Sequence, residues 1–304
     1  ITNPITGIEE PWRIQRGKGC NYVIASEHLL SYRDGAAAYY DLNQKVGTGN
    51  LGGFKTGCSS ALVAADGVLN APDYTRTCIC LYQNQTSLGL VHMPEVEVWT
   101  DSQYANDFSG HGAVKRVGIN FGAPGDRMGE DGVLWLEYPA VGGPSPSLGV
   151  EVVGDSPEYF LRHSSAAASS THPWVAASGV QGMRQIRVAL VTDLPVPGND
   201  WKDYGKGKSR TPSAPAGSEE DRVPPKGLYT VRLHLPDRSL LDGEAPVFDI
   251  AIADDDRVQR VDLAANAASV LEWKNVQLDG ALALNFTPVG QGEPVLCGIE
   301  IIKE

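Results

Sequence analysis

The sequence predicts an all-β protein, with incomplete β-propeller blades followed by a jelly-roll β-sandwich. Three observations carry this expectation. The 304 residues include 34 glycines and 20 prolines and few long stretches of helical period, the composition of many short strands joined by tight turns. A weak internal repeat of about 38 residues runs through the first part of the chain, near the ~40-residue period of propeller blades. Near the other end, Tyr229, Val231, Leu233 and Leu235 alternate with Thr230, Arg232 and His234, the pattern of a half-buried antiparallel strand.

Length and charge narrow the function classes. A chain of 304 residues suggests two domains. With 42% hydrophobic and 20% charged residues it is globular, and no run reaches the ~18 apolar residues that a membrane helix needs. A net charge of −12 argues against nucleic acid, whose binding requires clustered Lys and Arg to displace counterions. The chain opens at Ile1 without the charged-then-apolar pattern of a signal peptide.

In the repeat, the segment from Gly19 to Leu30 is echoed by that from Gly57 to Leu69. Each copy holds an apolar strand (Tyr22 to Ala25; Ala61 to Ala64), a polar turn (Ser26, Glu27 and His28; Ala65, Asp66 and Gly67) and a second strand, with Asp34 and Gly35 as a hairpin turn. Four of the five cysteines, Cys20, Cys58, Cys78 and Cys80, fall in this part, a bias typical of an oxidising compartment: periplasmic, cell-surface or secreted. Cys78 and Cys80 share one strand face and are poorly placed to bridge each other, so Cys20 and Cys58 are expected as their disulfide partners. A four-cysteine zinc site competes with that reading, but the C-x-C spacing chelates a tetrahedral ion poorly. Cys297 reads as a buried free thiol.

The segment from Ser31 to Leu42, with Gly52 to Cys58, Asn70 to Cys80 and Asn84 to Leu88, resembles the closing blades of quinoprotein-like propellers from planctomycete-type bacteria, over about residues 10–98. The resemblance implies missing blades supplied by a longer parent chain. It also implies pyrroloquinoline quinone in a complete ring only, since Ile79 separates Cys78 from Cys80 where the family's alcohol dehydrogenases have adjacent cysteines. No cofactor is expected in this chain.

The pattern changes near residue 100, giving expected domains 1–99 and 100–304. The stretches Ile119 to Gly125 and Asp131 to Leu136, and the strands Gly227 to Leu235, Pro246 to Ile252, Val276 to Phe286 and Pro294 to Ile301, resemble malectin-like domains in their order. Asp254, Asp255 and Asp256 lack calcium-loop spacing and read as a hairpin turn. Residues 192–226, rich in Pro, Gly, Ser and Lys, read as a surface insertion. Its Gly207, Lys208 and Ser209 do not complete a phosphate loop, because Lys202 stands where the first glycine belongs.

The malectin resemblance implies an oligosaccharide or cell-surface glycan as partner, held by aromatic faces and by a carboxylate. It puts the family's aromatic pair just after Leu235, where this chain has Pro236, Asp237 and Arg238, and the carboxylate near Glu293. Tyr104, Phe108, Trp174, Trp201 and Tyr204 are candidates for a substitute platform. Trp174 also reads as core, as do Trp135 and Trp273. The catalytic motifs sought (H-E-x-x-H, G-x-S-x-G, paired carboxylates) are not found, and the six histidines show no ligand spacing. The expected function is therefore a non-catalytic carbohydrate-binding module on a propeller scaffold in an exported bacterial protein. The alternatives are a structural or protein-interaction β-domain, or an accessory part of a quinoprotein-type oxidoreductase.

Overall fold

A computed structural model describes the chain apart from residues 10, 13, 15, 17, 18, 56, 58, 59, 73–85, 94, 103, 105–113, 142–144, 147, 191–225, 254 and 266–268. The described residues are nearly all β, as the composition predicts. Their helical turns are short, at Ser164–Ala167, Pro173–Ala176 (α1) and Arg238–Leu240, and none is long and apolar enough to cross a membrane.

The N-terminal part opens with an antiparallel meander of β1 (Ile24–Ala25), β2 (Leu29–Asp34), β3 (Ala36–Asp41) and β4 (Gly47–Asn50). The β2–β3 turn falls at Gly35, whose φ of +69° suits a residue without a side chain. A second sheet holds β5 (Val63–Ala65), β6 (Val68–Ala71) and β7 (Leu88–Val91). Asp66 and Gly67 turn β5 into β6, both with positive φ, the geometry of a tight hairpin. The two sheets meet through Ala37, Leu62 and Ala71, with Leu69, Leu88 and Leu90 packed around them. β8 (Asp101–Ser102) then extends the first sheet beyond β4.

The rest forms a sandwich. One sheet has six strands in the order β10 (Arg127–Met128), β11 (Leu134–Tyr138), β9 (Arg116–Phe121), β22 (Gly298–Lys303), β16 (Lys226–His234) and β19 (Val270–Asp279). The other has five: β12 (Val150–Val153), β15 (Gln185–Ala189), β20 (Ala281–Pro288), β17 (Val247–Ile252) and β18 (Val258–Asp262). A small sheet of β13 (Glu158–Leu161), β14 (Ser178–Gln181) and β21 (Val295–Leu296) lies at one end. The stretch read as one strand from Val276 to Phe286 is two: Gly280, at φ +74°, turns β19 in the first sheet into β20 in the second.

Alternation sets the core. Tyr229, Val231, Leu233 and Leu235 are buried in the same cluster as Phe248, Ile250, Leu282, Leu284 and Phe286 from the facing sheet. Ile5, Val46 and Tyr104 join that cluster, so the N-terminal part and the sandwich share apolar packing. The opposite face of β16 differs from an ordinary solvated face, because Thr230 and His234 are buried there as well. His234 is covered by Trp135, 1% exposed, which lies in a slot floored by Gly118 and Gly298: a Cβ on either would come within 2.2 Å and 2.9 Å of its ring. Beside the slot, Glu300 accepts hydrogen bonds from Arg116 (2.9 Å) and Arg232 (3.1 Å), so its buried charge is paired on both sides.

Cys297 is a buried free thiol that donates to the carbonyl of Ala176, as expected. Cys20, expected in a disulfide, is instead a free, exposed thiol. Sequence position does not carry the Cβ-to-Cβ distance on which a bridge depends. Cys58, Cys78 and Cys80 lie outside the described residues.

Candidate functional site

At the end of the sandwich beside the small sheet, three chain segments enclose a cleft of about 200 Å³. Gln181 comes from the end of β14, and Leu241, Asp242, Glu244 and Pro246 come from the connection into β17. Gln291, Gly292, Glu293 and Val295 complete it from the approach to β21. The lining is mostly amide and carboxylate, groups that exchange hydrogen bonds with a hydroxyl-rich ligand. No aromatic ring is among these lining residues.

The walls are held by specific bonds. Asp237 caps the Arg238–Leu240 turn by accepting from the Ser239 amide at 2.9 Å, and this bond holds its carboxyl below the usual carboxylate range. Arg238 donates to the carbonyls of Leu241 (2.7 Å) and Gly243, fixing the curve of the wall. Gly292, at φ +81°, lies so close to Pro246 that a Cβ would stand 3.0 Å from its Cα. Arg184 donates to Glu293 at 2.6 Å, and that bond lowers the Glu293 carboxyl from its ordinary value. Glu293 is therefore an ionised acceptor at neutral pH, suited to receiving hydroxyl hydrogen bonds and unsuited to donating a proton.

Sequence reasoning missed a second feature, a tyrosine pair. Tyr138 ends β11 and Tyr159 lies in β13, their ring centroids 6.1 Å apart at 60°. Tyr159 is 38% exposed, and burial of its inner part together with the neighbouring Tyr138 pushes its hydroxyl up to about 12. Tyr159 pairs with Val180, whereas the cleft residue Gln181 pairs with Glu158. Successive strand residues point to opposite faces, so the tyrosines and the cleft lie on opposite sides of the small sheet. The two tyrosines are separated by 21 positions in sequence, and no local pattern connects them.

Of the residues singled out in the sequence, Glu293 lines the cleft. The segment from Pro236 to Arg238 does not face it but shapes its wall. Tyr104 is 6% exposed, and its hydroxyl donates to the Lys45 carbonyl at 3.0 Å, so it packs where an exposed ring was expected. Trp174 is buried against Trp135 and Trp99, with the Arg127 guanidinium 4.9 Å from its ring, away from the cleft lining. Trp201, Tyr204 and Phe108 lie outside the described residues, as does nearly all of the 192–226 insertion.

No protein-family model matches the chain, and no curated protein does. Among solved structures, a Bacteroides uniformis beta-glucuronidase is 13% identical, with a TM-score of 0.39 over 78% of this chain and 22% of its own. The complex of the plant peptide RALF23 with FER and LLG2 gives 12% identity and a TM-score of 0.35, covering 64% of this chain and 40% of the matched one. The ANX1 ectodomain from Arabidopsis thaliana gives 13% and 0.33, covering 62% and 41%. The chain thus spans less than half the length of each of these proteins. Likenesses this distant do not bear on what it binds.

Proposed function

We propose that the sandwich is a non-catalytic binding domain that takes a short, hydroxyl-rich glycan in the cleft beside Glu293. The observation that carries this reading is a carboxylate held in place, Glu293 by Arg184, with Gln181, Asp242, Glu244 and Gln291 around the same small hollow. A sugar's hydroxyls satisfy such a lining, and the arrangement requires no proton transfer. The hollow is smaller than the ~300–1,000 Å³ of most small-molecule sites, so one ring or the end of a chain is the expected occupant. A small polar interface of this kind binds in about the micromolar to millimolar range.

In this reading the N-terminal sheets are a scaffold in an exported protein. It is supported by the four cysteines within the first 80 residues.

The test is a glycan array on the whole chain, with hits titrated on Glu293→Gln and Arg184→Ala. A selective hit weakened about tenfold or more by each change is the expected result, since each removes a charge-assisted contact or the group that orients it. A folded protein that binds no glycan, or binds one with both variants unaffected, overturns the assignment and directs the search to a protein ligand.

A further inference from the structure

Above the outer face of the six-stranded sheet, two histidines from distant parts of the chain meet. His234 ends β16, and His172 immediately precedes α1; their ring centroids are 5.4 Å apart, and the Trp135 ring stands 4.9 Å from His234 and 5.6 Å from His172. His234 is 3% exposed and neither of its ring nitrogens has a hydrogen-bond partner, nor does Nδ1 of His172. The surrounding charges come from several elements. Asp131 stands 4.0 Å from Nε2 of His172, and Arg232 shares the His234 face of β16 while ion-paired to Glu272 and Glu300. Arg116 on β9 pairs with Asp131 and Glu300, and from β22 the residue opposite His234 is uncharged Gly298.

Both histidines are joined to the cleft wall. Two residues after His234 the chain enters the connection that carries Leu241, Asp242 and Glu244. His172 lies in segment 163–177, which braces that connection: Leu240 packs on Ala167, Ala176 and Ala177, and Ser169 donates to Asp237 at 3.2 Å.

We propose that His234, packed against His172, is a proton-operated latch on the cleft. Proton uptake by His234 at mildly acidic pH releases segment 163–177 and the wall at 236–246, and so lowers the affinity of the cleft for its ligand. The inference rests on the cleft being the binding site, but the latch itself is measurable without any ligand. Its physical basis is that the closed state leaves an imidazolium without an acceptor. Burial, then the neighbouring His172 and Arg232, push the His234 imidazole down to about 3. An opened state in which the Trp135 ring no longer covers His234 restores the ordinary value near 6.5, so acidification from pH 7.5 to 5.0 favours that opening about 30-fold through this one group.

Amide hydrogen exchange across residues 163–177 and 236–246 tests this, with rates corrected for the intrinsic effect of pH. Protection in both segments is expected to fall about 30-fold between pH 7.5 and 5.0 while β9 and β22 stay protected. In His234→Phe, which keeps a ring against Trp135 but does not titrate, the fall should shrink below about threefold. His234→Leu, which does not titrate either, supplies the same comparison if the phenylalanine variant does not fold. Unchanged protection in the wild type, an equal fall in the variants, or simultaneous loss in β9 and β22 would each overturn the latch. A blank glycan array would instead sink the binding assignment and leave the exchange result standing.

Discussion

Gly118→Val is expected to destabilise the protein by about 3–5 kcal/mol, read as a lowered urea midpoint, because its side chain fills the space that the Trp135 ring occupies. A Cβ at residue 118 would stand 2.2 Å from Cδ2 and 2.5 Å from Cε3 of that ring, far inside contact distance. The backbone there belongs to β9 between β11 and β22 and has little room to move. The indole must therefore leave, which uncovers His234 and the buried cluster of Val133, Trp174, Val175 and Cys297. Gly89→Val is the control, since a Cβ there meets only a side-chain methyl at 3.4 Å. The double variant Gly118→Ala with Trp135→Leu should cost less than the sum of its parts, as residues in direct contact do not act independently. Additive losses would mean that the indole does not occupy the glycine slot.

The second large effect concerns Asp126, buried in the turn between β9 and β10, where Oδ1 accepts the Glu137 amide at 3.0 Å. Burial, reinforced by the charges of Glu137 and Asp101, raises its carboxyl from 3.8 to about 8. The folded state thus keeps a proton that the unfolded chain releases near pH 4. Stability from this group is complete below that value and is lost as pH rises toward 8. Asp126→Asn retains the carbonyl acceptor and removes the titration. Its stabilising effect should therefore grow by on the order of 4 kcal/mol between pH 5 and pH 8. Urea melts of the two proteins at both pH values check this, and parallel curves would show that Asp126 does not hold its proton. His234 works in the opposite sense: its lowered value gives stability that is complete above pH 6.5 and lost as pH falls toward 3.

The sequence by itself determined the β class, the Asp34–Gly35 and Asp66–Gly67 turns and the inward face of β16. Each depends on local rules: positive φ at a tight turn, and a period of two wherever one sheet face is buried. The thiol of Cys297 and the core role of Trp135 were legible as apolar groups in apolar runs, and Trp273 as an apolar ring with apolar residues nearby in its strand. Tertiary structure alone decided the rest. His234 sits at a position that alternation marks as outward, yet it is buried, because Trp135 from a strand about 100 residues earlier lies over it. The cleft is assembled from residues near 181, 241–246 and 291–295, and its acceptor, Glu293, becomes an oriented group only through Arg184. Tyr104 shows the same limit from the other side: its ring was read as exposed in a polar segment and is instead drawn into the shared core beside Val46. Periodicity records which face of a strand is apolar; which second layer covers that strand depends on contacts between segments distant in the chain, and these leave no local pattern to read.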